Sequence, residues 1–208
     1  MSQVSNYSNK SKSSQGLSAM AALRDATWPC HQRLEQRLDV KARFSQVTDY
    51  RVYLEKMWGF CAALEAQLGV DMFGDALADY DARQKTPLLA CDLTILGVTP
   101  DRIERLPRCL SLPPCRDTSA AFGCTYVLEG ATLGGRTLLP LVHSQLGLTA
   151  QHGASFFASY GAQTLAKWRT FGAALDAWCL NASRAADAAA TAIATFESLE
   201  RWLCEAPT

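Results

Sequence analysis

Two groups of residues in this chain have the types and spacing to do chemistry together. In the segment from Leu23 to Glu35 and just beyond, Leu23, Thr27, His31, Leu34 and Leu38 recur at helical spacing, which predicts one apolar face with the His31 imidazole pointing inward. About a hundred residues later, Gly123, Gly130, Gly134 and Gly135 interrupt a stretch whose neighbours otherwise mark a buried helix. Each helical glycine costs about 0.5–1 kcal/mol against alanine, so Gly130, Gly134 and Gly135 together forfeit about 2–3 kcal/mol. Gly130 and Gly134 are four apart and share a face, leaving a flat trench of bare backbone. Such a trench receives either a neighbouring helix, as in GxxxG packing, or a flat ligand. An inward histidine is commonly a satisfied core residue, yet a neutral imidazole on an apolar wall is also what a haem iron requires as an axial donor.

The elements that must position these groups read as helices throughout. The first is expected over about 18–38 with Pro29 kinking it next to His31, and the second over 49–68, with Tyr50, Tyr53, Leu54, Met57, Cys61, Leu64 and Leu68 as its stripe. Thr86 followed by Pro87, with Gly97 as the stop, predicts a helix over 87–96, preceded by a shorter helix and turns. Pro100, Pro107, Pro113 and Pro114 make 97–116 a broken connection. Asp117, Thr118 or Ser119 can then cap a long glycine-bearing helix that ends near Gly147. Helices over about 162–179 and 183–204 close the chain, the last rich in alanine. No segment alternates with period two, so the fold class is all-α. Residues 1–16, rich in Ser, Asn, Gln and Lys, are expected to be a disordered tail before one domain over 17–208.

Composition narrows the partners. Twenty basic and twenty acidic residues cancel, so no global field draws the chain to nucleic acid or an anionic membrane. The apolar runs are too short to span a bilayer and the polar start lacks the core of a secretion signal, which predicts a cytoplasmic protein. The eight cysteines show no CxxC or CxxCH pattern and read as reduced thiols, mostly small core residues.

The two segments together resemble the haem oxygenases, in particular the bacterial biliverdin-forming members that supply phytochrome chromophores. Leu-Arg-x-x-Thr-x-x-x-His-x-x-Leu-Glu (residues 23–35) is similar to the family's proximal helix, and Tyr-Val-Leu-Glu-Gly-x-x-Leu-Gly-Gly (126–135) to its distal helix. A third match is Phe-Phe-x-x-Tyr-Gly followed by Trp-Arg-x-Phe (156–171), and the likeness covers most of residues 17–204. The resemblance implies a single-domain helical bundle in which haem is both cofactor and substrate. It implies that His31 is the axial iron ligand and that Gly130 and Gly134 lie over the open coordination position, with Gly135 also against the haem. Oxygen and electrons from an external donor, a ferredoxin or a reductase, would open the ring at a meso carbon to give biliverdin, carbon monoxide and ferrous iron. A bacteriophytochrome is the implied acceptor of the product.

Within that frame, Arg24 is the candidate partner for a haem propionate, seven residues and about 10 Å along the helix from His31. Tyr160 is a second candidate propionate contact, whereas Lys167 and Arg169 are weaker candidates, a solvated face being the usual explanation for such charges. Glu35, one turn after His31, either orients the imidazole through its second nitrogen or is an exposed carboxylate. Cys30 is rotated about 100° from His31 and reads as structural. His143 and His152 read as surface or packing residues. One departure stands out: many relatives carry Asp, Ser or Asn after the first distal glycine, and this chain has Ala131. Two other readings stay open, a carrier or sensor that binds haem without degrading it, and a thiaminase-like helical architecture that holds no haem.

Overall fold

Short polar residues set the starts of the main helices in the computed structural model, which describes residues 18–39 and 44–205. Ser18 precedes α1 (Ala19–Leu38), and its hydroxyl accepts the amide of Ala21 at 3.2 Å. Asp117 caps α5 (Thr118–Leu146) by accepting from the Ala120 amide at 2.9 Å, and Gly147, in the left-handed region at φ 69°, ends it. Asn181 does the same for α8 (Ala182–Cys204), taking the Arg184 amide at 2.9 Å. Each such cap satisfies one of the amides that a helix start leaves without a partner. Pro29 lies inside α1 and Pro140 inside α5, and both helices run on through them.

The second helix, α2 (Val47–Glu65), begins two residues earlier and stops three residues sooner than its periodicity suggests. Three short 3-10 turns follow, at Val70–Met72, Gly74–Leu77 and Tyr80–Arg83, where a short helix and turns are expected. The next helix, α3 (Thr86–Ile95), corrects the expected Thr86 cap. Thr86 is already its first residue, and the cap comes from Glu65 at the end of α2. Its carboxylate accepts from the Lys85 amide at 2.5 Å and the Thr86 hydroxyl at 2.6 Å. The broken connection contains one short helix, α4 (Pro100–Glu104), and a four-residue helix, α6 (Ser155–Ala158), precedes α7 (Thr164–Trp178). Among the described residues there is no strand, only two isolated bridges from Thr149 to His152 and Gly153. The expected tail, residues 1–16, lies outside the described residues.

The helices share one apolar core that includes Leu23, Leu54, Phe60, Leu93, Phe122 and Phe171. The alanine-rich α8 packs along both α1 and α5, whereas α1 and α5 touch each other only marginally. Small side chains permit this. Ala188 and Ala192 are fully buried, and Gly123 of α5 lies so close to the Ala188 carbonyl and Thr191 that a Cβ there would collide with both. Two long helices thus both rest on a common floor. No helix among the described residues is long and apolar enough to cross a membrane.

Candidate functional site

One side of the candidate site is α1. Its buried stripe is Leu23, Thr27, Cys30, Leu34 and Leu38, so Cys30 occupies the place expected for His31. The 100° step between neighbouring residues then sets His31 at the edge of the stripe, with its side chain 43 % exposed rather than fully inward. The ring is nonetheless fixed on three sides: Trp28 stacks on it at 5.9 Å, Phe196 of α8 meets it edge-on at 6.0 Å, and the Glu35 carboxylate lies 3.7 Å from Nδ1. Nδ1 is shielded from solvent and has no hydrogen-bond partner at that separation. A small approach by Glu35 would satisfy it and leave Nε2 with its lone pair free. Glu35 is therefore placed to orient the imidazole. Cys30, buried in the core, accepts a weak hydrogen bond from Arg33 at 3.5 Å.

The other wall is α5. Tyr126, whose phenol is pushed up by burial against the partial relief of Thr27 and Arg24, brings α5 against α1 at Thr27. From that contact His31 is one turn along α1 and Gly130 one turn along α5. A Cβ built on Gly130 or Gly134 meets nothing within 4 Å. The helix-packing explanation therefore fails for these two positions: no neighbour uses their missing side chains. Gly135 is different, because a Cβ there would stand 2.6 Å from the Phe157 carbonyl oxygen. Its absence of a side chain serves a close backbone approach. Ala131, between the open glycines, is half-buried and brings no polar atom.

Behind α5 lies a charged cluster that sequence reasoning missed. Glu129, 1 % exposed, accepts from Arg83 Nη1 at 2.7 Å, Lys85 Nζ at 2.8 Å and the Tyr160 hydroxyl at 2.5 Å. Burial pulls the Lys85 ammonium below its ordinary value, and Glu129 opposes that shift. Arg83 also donates to Asp79 at 2.8 Å, and Lys167 closes the chain of charges with Asp79 at 2.8 Å. For Asp79, burial is outweighed by these two cations, which hold its carboxyl below the usual range. A buried pair gains stability only when its remaining donors and acceptors are satisfied, and here they are. Tyr160, expected at a propionate, thus has its hydroxyl committed to Glu129 and Lys85. Ser159 before it adopts φ 44°, a strained value for serine that turns Tyr160 into this cluster. The one sequence signal was Glu129 itself, a carboxylate inside an otherwise apolar helical stretch.

The remaining expected residues fall on the surface. Arg24 is exposed and pairs with its neighbour Asp25 at 3.0 Å, a contact worth little in water and easily exchanged. Arg169, His143 and His152 are also exposed, with His143 Nδ1 3.2 Å from the Leu148 carbonyl. Two open depressions, of about 560 Å³ beside Arg37 and Val52 and about 420 Å³ beside Leu77 and Lys167, include neither His31 nor the open glycines. They carry no group with the ligand chemistry of the α1–α5 cleft.

An imidazole on α1 with a carboxylate beside Nδ1, and two glycines on α5 whose faces no neighbour fills, are features suited to the class of protein that grips a flat metal-bearing ring. The fold agrees with this class. The haem oxygenase of Neisseria meningitidis, solved with NO and CO bound, superposes with a TM-score of 0.77 at 21 % identity over 90 % of this chain and 91 % of its own. That of Leptospira interrogans gives 0.74 at 17 % identity over 91 % and 100 %, and heme oxygenase-1 of the cyanobacterium Synechocystis, in complex with heme, gives 0.71 at 14 % over 90 % and 91 %. The family profile described as "Heme oxygenase" matches residues 17–205, and a "Heme oxygenase" of Xanthomonas campestris pv. campestris is 31 % identical over 148 residues, 71 % of this chain and 84 % of that protein. The chain belongs to the haem oxygenase family.

Proposed function

We propose that residues 17–208 form one haem oxygenase domain that binds haem as its substrate between α1 and α5 and cleaves it with oxygen and external electrons to biliverdin, carbon monoxide and ferrous iron. The single observation that carries this reading is the pair of unused glycine faces at Gly130 and Gly134, one turn from the same interhelical contact as His31. His31 Nε2 would ligate the haem iron, and Nδ1, 3.7 Å from the Glu35 carboxylate, would donate to it after a small approach. The bare backbone of Gly130 and Gly134 lets the helix approach the opposite ring face and leaves room for oxygen, and no distal acid side chain stands among them to force premature bond cleavage. Arg24, held only by an exposed neighbour, is free to turn to a propionate. Gly135 and Tyr160 act one step back, Gly135 by seating α5 on Phe157 and Tyr160 through Glu129.

A ferredoxin or reductase supplies the electrons and a bacteriophytochrome is the acceptor that would match the sequence resemblance. A cytoplasmic location fits the eight free cysteines. Ala131 supports a second reading, a carrier or sensor that binds haem without degrading it, because it leaves the distal side without a polar anchor at that position. The test has two arms. Titration of haem into the wild type should give a Soret shift that His31→Ala lacks, and an identical shift in the variant would remove His31 as the ligand. A chemical reductant in air should then convert the bound haem to bile pigment. Haem retained unchanged would favour the carrier.

A further inference from the structure

The sulfur atoms of Cys115 and Cys124 are 2.9 Å apart and unbonded. A disulfide has its sulfurs about 2.05 Å apart, so closing this pair requires about 1 Å of side-chain movement. The two cysteines differ in access. Cys115 is half-buried in the segment that enters α5, its amide donating to Gln67 Oε1 at 3.3 Å. Cys124 is buried on α5 itself, where Thr195 of α8 also donates to its sulfur at 3.6 Å. Neither sulfur takes part in the cleft chemistry.

We propose that Cys115 and Cys124 are a redox-active dithiol, a modification site oxidised to an intramolecular disulfide by small peroxides such as hydrogen peroxide. The two thiols share one hydrogen bond, and that contact holds the Cys124 thiol below its ordinary value despite burial while pushing Cys115 up. Once one proton leaves, the pair shares the other, so either sulfur can carry the charge. Peroxide transfers an oxygen to the accessible Cys115, giving a sulfenic acid and water. The Cys124 thiolate attacks that sulfur, the S–S bond forms and hydroxide leaves. In sum, two thiols and one hydrogen peroxide become one disulfide and two waters. The bond fastens the segment before α5 to the helix six residues, about 9 Å, upstream of Gly130.

The experiment treats the reduced, desalted full chain with hydrogen peroxide, blocks remaining thiols, and maps them by peptide mass spectrometry. The expected result is a linked Cys115–Cys124 species lighter by about 2 Da, two fewer free thiols, and full reversal by dithiothreitol. In Cys115→Ser the Cys124 thiol should stay reduced under the same peroxide and be alkylated once the chain is unfolded, because it is buried and has lost its partner. If Cys115 and Cys124 both stay reduced under exposure that oxidises the exposed Cys91, or if Cys115 is found over-oxidised or joined to another cysteine, the proposal is overturned.

Discussion

Alanine at three glycines of one helix should have opposite effects on stability, and the sign separates ligand-facing from packing positions. At Gly130 and Gly134 a new Cβ meets nothing within 4 Å, so Gly130→Ala and Gly134→Ala gain only helix propensity, about 0.5–1 kcal/mol each. For a domain of this size that raises the melting temperature by about 1–4 °C per substitution. At Gly135 the same methyl lies 2.6 Å from the Phe157 carbonyl oxygen, a backbone atom that cannot swing aside, and overpacking of this kind costs about 1–3 kcal/mol. Gly135→Ala should therefore melt lower, by about 2–12 °C. The assay is thermal unfolding of the three haem-free variants beside haem titration and turnover. Gly130→Ala and Gly134→Ala should pair normal or raised stability with impaired haem degradation, because their methyl groups enter the space proposed for the substrate. If Gly134→Ala were destabilised like Gly135→Ala and still turned over haem normally, the trench would be a packing surface and the reasoning would fail.

Replacing Glu129 by Gln leaves the buried Arg83 and Lys85 without their shared carboxylate, and breaking a buried pair in this way costs about 3–5 kcal/mol, or about 6–20 °C in melting temperature. A loss below about 1 kcal/mol would mean that the cluster contributes little to holding α5. Asp92 is fully buried and accepts from the Ser155 and Phe156 amides at 2.8 Å, and burial raises its carboxyl above the ordinary 3.8 in spite of those bonds. A raised folded value means that the folded chain binds the proton more tightly, so Asp92 contributes most below 3.8 and its contribution is lost as pH rises through the raised value. Urea unfolding of Asp92→Asn across that range should shift in favour of the variant, relative to wild type, as pH increases. A pH-independent difference would contradict the shift.

The helices, a polar start somewhere in 117–119 and the unusual glycines of α5 were legible because each is a local signal: a polar start, a period near 3.6, or a residue whose cost has to be offset. What could not be read is set by distant partners. Gly134 and Gly135 are neighbours with the same propensity, and only the course of the chain at Phe157 makes one open and the other crowded. Thr86 carried the sequence mark of a cap, yet the capping carboxylate comes from Glu65 on another helix. His31 and Cys30 exchanged places because one 100° step decides which enters the core, and an apolar stripe with spacings of three and four fits either residue. Arg83 and Lys85 sit in a polar connection where basic residues are ordinarily solvated, so nothing local announced that both would be buried against Glu129.

Fixing both walls of the cleft to α8 turns that helix into a gauge. The side chains it inserts beneath α5, fully buried alanines at 188 and 192, set how deep one jaw settles, while Phe196 sets the seat of the imidazole on the other. The spacing of the two walls is then controlled from a helix that supplies neither His31 nor the open glycines. Exchanging small residues there for slightly larger ones would retune the aperture for tetrapyrroles of different girth while every contacting group stayed the same.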